Sequence, residues 1–231
     1  MTNGEKPPGI RASGISKSYH HFSVLTDVSF EVAAGECFAL FGRNGAGKTT
    51  LLKILATLQP PSSGGFELGG FDGVRQRVRA REKLMLIAHG SFLYDDLDAG
   101  ENIRFAMALR GLTPAARDIK VALDRVGIGA FSDFKIRAFS EGMKKRLSIA
   151  KAQLIRPEIL LMDEPYASLD EHGIKMVNDF IRSMAKQGTS VFMTSHNRAQ
   201  SAEVTQRAGV LHQGRMKEMT IDQLAGADEI F

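Results

Sequence analysis

Cysteine is almost missing from this sequence: Cys37 is the one thiol in 231 residues. A single cysteine excludes an internal disulfide framework and any cysteine-rich metal centre. Its place inside an apolar stretch predicts an inert core thiol, and a reducing, cytoplasmic setting accords with that. Long apolar runs are missing too. No stretch approaches the roughly 18 consecutive apolar residues of a membrane span. The opening MTNGEKPPG has no apolar signal core, so secretion is not expected. Charge of one sign is also scarce, with 30 Lys and Arg against 26 Asp and Glu leaving +4. That balance tolerates an anionic surface but predicts neither nucleic acid nor lipid as a partner. At 43% apolar and 24% charged, the chain reads as an ordinary soluble protein with room for one large core and a smaller inserted unit.

What is there is concentrated in GRNGAGKTT: Gly42, Arg43, Asn44, Gly45, Ala46, Gly47, Lys48, Thr49 and Thr50. CFALF (Cys37–Phe41) precedes it with strand character, and LLKILATL (Leu51–Leu58) follows with leucine and isoleucine at helical spacing. Strand, glycine-rich loop and helix in that order form a phosphate loop. Small residues let successive backbone N–H groups close around phosphate oxygens, and the positive helix end adds attraction. Lys48 can then reach the β- and γ-phosphates, and the Thr49 hydroxyl can ligate Mg²⁺. The chain is expected to bind a nucleoside triphosphate.

Around this centre the chain reads as follows. Residues 1–9 are a polar, proline-rich tail. Ser13–Tyr19 is a strand, His20–His21 a turn, and a second strand lies around Val28–Val32, giving an antiparallel patch beside the nucleotide core. Tyr19 is either a half-buried strand tyrosine or a platform for a base. Gln59–Gly65 is a turn rich in breakers, and Phe66–Leu68 a short strand. Arg75, Arg77, Arg79, Arg81 and Lys83 suit the solvated side of a helix better than a phosphate-backbone contact. Leu84–Ala88 is a buried strand, and His89–Asp98 a loop carrying the apolar cluster Phe92–Tyr94. Helices are expected at Glu101–Leu109 and about Pro114–Val126. Without strand rhythm, the block from about 90 to 155 reads as a helical insertion.

Ser140 caps a helix whose apolar residues include Leu147, Ile149, Ala150, Leu154 and Ile155, and Arg156-Pro157 ends it. Ile159–Met162 then runs as a buried strand into Asp163 and Glu164. Ligands gather at the carboxyl ends of parallel strands. Asp163 is therefore a candidate Mg²⁺ ligand, and Glu164 a candidate for orienting or deprotonating the attacking water. Adjacent acids can also cap a helix, but the phosphate loop nearby favours catalysis. A helix over His172–Ala185 and a strand over Ser190–Met193 follow. His196 stands just past that strand, where it is structural or bonds a γ-phosphate or the attacking water.

Taken together these motifs resemble the ATP-binding-cassette family over about Ile10 to Leu224, with 10–225 as a single nucleotide-binding domain. The resemblance implies an α/β fold: a P-loop NTPase core with an antiparallel β subdomain and an inserted helical subdomain. By that resemblance Gly42–Thr49 is the phosphate loop, Tyr19 stacks on the base, and Phe139–Met143 occupies the family signature. Leu160–Pro165 supplies the metal ligand and catalytic glutamate, Ser168–Asp170 the dimer-contact loop, and His196 the switch histidine. The implied cofactors are ATP and Mg²⁺. Two cassettes, identical or paired, would dimerise head to tail so that Ser140 and Gly142 of one touch the γ-phosphate held by the other. A separate transmembrane permease is the implied partner, with the chain peripheral on the cytoplasmic face of the inner membrane and no nucleic acid expected. Two departures stand out: Glu141 replaces a signature glycine, and His89-Gly90 stands where the family's sensing glutamine is expected. HGSFLYDDLDAGEN and FSEGMKKRLSIAKA most resemble the haem-exporter ATPases of cytochrome c biogenesis, with drug and polysaccharide exporters close behind. The competing reading, a cytosolic ATP-driven clamp on nucleic acid or ribosomes, fits less well, because the chain has one cassette and no coiled-coil or zinc insertion.

Overall fold

A strand covered on both faces needs a near-continuous apolar run, and several segments of this sequence meet that need. The computed structural model describes residues 9–88, 92–205 and 207–225. Strands β1 (Ile10–Tyr19) and β2 (Phe22–Val32) form an antiparallel pair joined through His20–His21. Strand β3 (Cys37–Phe41) is buried along its whole length and leads through the glycine-rich loop into helix α1 (Lys48–Leu55). Strands β4 (Ser63–Leu68) and β5 (Phe71–Asp72) complete a four-stranded antiparallel sheet in the order β2-β1-β4-β5.

Helix α2 (Arg77–Lys83) carries the basic run and enters β6 (Leu84–Ile87). Next come α3 (Ala99–Ala108), α4 (Ala116–Arg125) and α5 (Glu141–Ile155). Strand β7 (Ile159–Asp163), helix α6 (Glu171–Lys186) and strand β8 (Ser190–Thr194) return the chain to the core. Helix α7 (Arg198–Ala202), the hairpin β9 (Arg207–His212) and β10 (Arg215–Thr220), and α8 (Ile221–Ala225) close the described chain. The six-stranded sheet has the order β10-β9-β3-β8-β7-β6, with every pairing parallel except the terminal hairpin.

Alternation along β3 sends its side chains to two cores. Phe38 and Leu40 face the antiparallel sheet and α1, where Phe30 stacks on Phe38 at 5.4 Å and on Phe192 at 5.3 Å between ring centroids. Cys37, Ala39 and Phe41 face the opposite side, sharing a core with Ile103, Leu123, Leu147 and Phe180 from α3, α4, α5 and α6. Burial pushes the Cys37 thiol far up, as expected of an inert core residue. Among the described residues no helix is long and apolar enough to cross a membrane.

Several boundaries differ from the sequence reading. Helix α1 starts at Lys48 and stops at Leu55 rather than reaching Leu58. Thr57 turns left-handed, and the Arg81 guanidinium donates to its hydroxyl at 2.6 Å and to its carbonyl at 2.9 Å. Strand β4 begins three residues before the expected Phe66, inside the supposed turn. Gly64 lies so close to β1 that an added Cβ would sit 2.2 Å from the Gly14 carbonyl oxygen, so the glycine permits the close antiparallel pairing of β4 with β1. Strand β2 begins at Phe22, well ahead of Val28. The basic face of α2 is only partly solvated: Ala80 is fully buried, Arg81 binds Thr57, and Lys83 pairs with Glu158 at 2.6 Å.

Candidate functional site

Strand β8 lies between β3 and β7, and all three run parallel. Thr194 is level with Leu40 on one side and Asp163 on the other. The glycine-rich loop, the acid pair and Ser195-His196 therefore emerge together at one end of the sheet, where parallel strands bind ligands. Gly42 leaves β3 at φ 151 with strand β9 against it: a Cβ there would lie 2.5 Å from the Leu211 carbonyl oxygen. Gly47, left-handed at φ 107, starts α1 without a side-chain cap, so the first-turn amides of the helix are not met by one. Arg43, Asn44, Gly45 and Thr49 are exposed, while Ala46 and Thr50 are half-buried.

Lys48 is 7% exposed and turns back over this loop. Its ammonium donates to the Gly42 carbonyl at 2.7 Å and the Arg43 carbonyl at 3.3 Å, and lies 3.3 Å from His196 Nε2. Burial lowers its pKa, while Glu164 and Asp163 pull the other way. Glu164 is held in left-handed backbone at φ 46, a conformation costing on the order of 1 kcal/mol for a residue with a side chain. Its N–H donates to the Thr194 carbonyl at 3.2 Å and hydroxyl at 3.1 Å, and the same hydroxyl donates to Asp163 Oδ1 at 2.6 Å. The His196 N–H donates to Glu164 Oε2 at 3.1 Å. The other oxygen, Oε1, lies 3.2 Å from His196 Nε2 yet has no hydrogen-bond donor. Those two facts agree when Lys48 donates to Nε2, because that nitrogen then carries a lone pair and no proton.

A cavity of about 450 Å³ opens here, lined by Gly42, Arg43, Asn44, His196 and Arg198. Among the described residues no group of three or more His, Cys, Asp or Glu could alone cage a metal. A hydroxyl at Thr49 and a carboxylate at Asp163 suit a Mg²⁺ that takes its remaining oxygens from substrate phosphates and water. Tyr19 is 42% exposed, its hydroxyl donating to Gln59 Oε1 at 2.7 Å, and the Gln59 amide donates to the Thr50 carbonyl at 3.1 Å. Lys17 sits 5.3 Å from the centroid of the Tyr19 ring. Gln59 thus ties the tyrosine to the helix of the phosphate loop, a link that no sequence motif signals.

Ser140 and Gly142 stand elsewhere, at the start of α5, and no hydrogen bond among the described residues joins them to the loop or the acids. The Ser140 hydroxyl accepts from the Met143 N–H at 3.2 Å, the cap expected from sequence. A Cβ at Gly142 would meet only Ser140 Oγ, at 3.9 Å. Glu141, the departure from glycine, pairs with Lys144 at 3.3 Å in the first turn of the helix, where a negative charge is favourable. Sequence reading missed Lys145. From α5 it donates to the Glu164 carbonyl at 3.2 Å and the Ala167 carbonyl at 2.8 Å, binding the two ends of the post-strand turn. Ser168 is left-handed at φ 62, and the Asp170 carboxylate caps α6 by accepting from the Gly173 N–H at 2.8 Å. His89 and Gly90 lie outside the described residues.

A second, larger concavity of about 890 Å³ lies between α2, β6, α3 and α5, with Met85, Phe92, Tyr94, Phe105, Arg110 and Lys151 in its lining. Phe92 is 63% exposed and Tyr94 52% exposed, the latter packing edge-on against Phe105 at 4.7 Å. Leu93, between them, packs against the core.

Comparison with known proteins bears on this arrangement. The family model described as ABC transporter matches residues 25–167. The chain is 32% identical over 209 residues to the linearmycin resistance ATP-binding protein of Bacillus subtilis (strain 168), covering 90% of this chain and 67% of that one. It is 31% identical over 230 residues to a sulfate/thiosulfate import ATP-binding protein of Agrobacterium fabrum (strain C58), covering 96% of this chain and 64% of that one. A solved ATP-binding cassette, dimeric and in a post-hydrolysis state with ADP and Pi, shares the fold at TM-score 0.83 and 20% identity, over 92% of this chain and 98% of that one.

Proposed function

The chain belongs to the ABC transporter family of ATPases, and from that membership we propose that it energises export through a separate membrane-spanning partner. It would work as one of two cassettes, docked on the cytoplasmic face of the inner membrane. The observation that supports this reading is the meeting of Lys48, Asp163, Glu164 and His196 at the ends of three adjacent strands.

In this reading the loop amides from Gly42 to Thr50 and the Lys48 ammonium hold the β- and γ-phosphates, and Tyr19 stacks on the base. Thr49 and Asp163 would hold Mg²⁺, which when bound neutralises charge on the same phosphates. Glu164 accepts a proton from water as its oxygen bonds to the γ-phosphorus. The bond from that phosphorus to the bridging oxygen breaks, and ADP and phosphate leave. The His196 side chain orients the γ-phosphate, and the backbone N–H of the same residue fixes the carboxylate that takes the proton. Ser140 and Gly142 cover the nucleotide of the partner cassette.

The test is a pair of variants. Glu164→Gln keeps ATP binding, lowers phosphate release at least about 100-fold, and accumulates a nucleotide-bound dimer in sedimentation. Adding Gly142→Asp abolishes that dimer without loss of ATP binding, since the new carboxylate enters a phosphate site and meets no clash within the monomer. Near-normal hydrolysis by Glu164→Gln removes the catalytic role, and a persistent dimer in the double variant removes the signature role. For cargo, the stretches 89–102 and 139–152 support the haem-exporter group. A haem absorption band in the membrane complex purified in detergent is the expected result, and its absence under haem loading turns the assignment to other exported cargo. Recovery with ribosomes or nucleic acid instead of a membrane protein overturns export altogether.

A further inference from the structure

The end of the β1–β2 hairpin is held against the segment after α1 by bonds that do not involve the Tyr19 side chain. The Ser18 N–H donates to Ser62 Oγ at 3.1 Å, the Ser62 N–H to the Ser16 carbonyl at 2.8 Å, and the Lys17 ammonium to the Pro60 carbonyl at 2.8 Å. With the hairpin backbone fixed in this way, two further groups act on the phenol alone. Its hydroxyl donates to Gln59 Oε1 at 2.7 Å, and the Lys17 ammonium stands over one face of the ring, 5.3 Å from its centroid. With its oxygen spent on the hydroxyl, the Gln59 amide uses its nitrogen to donate to the Thr50 carbonyl, in the first turn of α1, at 3.1 Å. Leu58, the residue before it, lines the 890 Å³ groove between α2, β6, α3 and α5, whereas Gln59 turns to the hairpin. The Tyr19 ring is 42% exposed, so packing alone leaves it free to turn, and Gln59 removes that freedom.

Resting on the reading that Tyr19 stacks on the base, we propose that Gln59 is a positioning residue for nucleotide binding, which fixes the plane of the Tyr19 ring before the base arrives. Lys17 covers one face of the ring, so the base has the opposite face to use. Stacking needs a defined ring plane, and an exposed tyrosine that had to give up its rotamers on binding would lose affinity by that ordering. The second bond of Gln59, to Thr50, sets the platform at a fixed place relative to Lys48 and Thr49, which begin the same helix. The contribution of Gln59 therefore depends on the base of the nucleotide and not on its phosphates.

Calorimetric titration of the full chain with ATP and with inorganic tripolyphosphate, which has phosphates and no base, tests the assignment. Gln59→Leu should weaken ATP binding about fivefold, while tripolyphosphate binding and kcat at saturating ATP stay within about twofold of wild type. Its melting temperature should stay within about 2 °C of wild type, because the hairpin keeps its other bonds. Tyr19→Phe deletes the donated hydroxyl and keeps the ring, so it should weaken ATP by a similar factor. The double variant Tyr19→Phe/Gln59→Leu should lose no more than either single variant. Additive losses overturn the tether. Equal losses for ATP and tripolyphosphate place the effect in the phosphate loop, by way of Thr50, and overturn the base-positioning role. A Gln59→Leu chain that melts well below wild type assigns the residue to folding and overturns it as well. Tyr19→Ala separates the proposal from the reading beneath it. If Tyr19→Ala weakens ATP while Gln59→Leu does not, base stacking stands and the role of Gln59 falls; if Tyr19→Ala binds ATP as wild type does, the stacking reading itself fails.

Discussion

Two lysines of this chain are equally buried, each 7% exposed, and differ in what meets the ammonium. Lys48 has two loop carbonyls and the His196 ring within 3.3 Å, with Asp163 and Glu164 supporting its charge. Lys151 has none of these, so its charge acts against the isolated fold. The sign follows from linkage. A folded-state value near 8 against 10.5 for the free side chain means that the unfolded chain binds more protons between those limits. Stability from this group therefore rises with pH across that window, and below it a penalty on the order of 3 kcal/mol is fully present. Lys151→Met should raise the melting temperature at pH 7 by roughly 6–12 °C, and the gain should shrink toward pH 10.5. The difference between variant and wild type must be read, because Cys37 and Tyr166, both raised by burial, lower stability over the upper part of the same range. A gain that does not change with pH would place its origin in packing rather than in charge.

At the scale of an element, α5 joins three surfaces. Its 15 residues span about 22 Å. Ser140 caps the signature end, Lys145 holds the carbonyls of Glu164 and Ala167, and Lys151 reaches the groove. Glu164 is left-handed, and Lys145 is one of the groups that keep it so. Lys145→Met should lower kcat about tenfold with little change in KM for ATP, since the tether positions the proton acceptor and not the phosphates. Steady-state kinetics with a thermal melt decides it: kcat unchanged, or a fall matched by lost folded protein, removes the positioning role. Legibility in sequence divides along the same line. The buried strands and the capped start of α5 were readable, because an apolar run and a Ser cap are local signals. The phosphate loop, acid pair and His196 were readable as strand-end residues. The early start of β2 and β4 was not, because cross-strand pairing with β1 overrides the turn-prone Ser and Gly of those segments. Gln59 and Lys145 were not readable either, since each acts on a backbone carbonyl distant in sequence and no motif marks such a bond.

For the whole molecule, what matters is that the nucleotide end and the groove sit on one framework. Strand β6, whose Leu84, Met85 and Leu86 line the groove, pairs with β7, which carries Asp163. The segment from Phe92 to Tyr94 continues from β6 toward α3. Its backbone is held at Tyr94, whose N–H donates to Asn102 Oδ1 at 2.8 Å and whose carbonyl accepts from the Asn102 amide at 3.0 Å. Its aromatic rings nonetheless face outward, which is the arrangement of preformed anchors for a partner. Rings this exposed contribute little to the isolated fold, so Phe92→Ala/Tyr94→Ala should change stability by about 1 kcal/mol or less and leave ATP affinity as it is. Recovery of the membrane partner, and transport by the assembled complex, should fall at least about tenfold. Leu93 provides the control, because it packs into the core, and Leu93→Ala should reduce melting temperature and every activity together. A double aromatic variant that behaves like Leu93→Ala would show that the rings serve packing. One that keeps partner and transport at wild-type levels would remove this face from the docking surface.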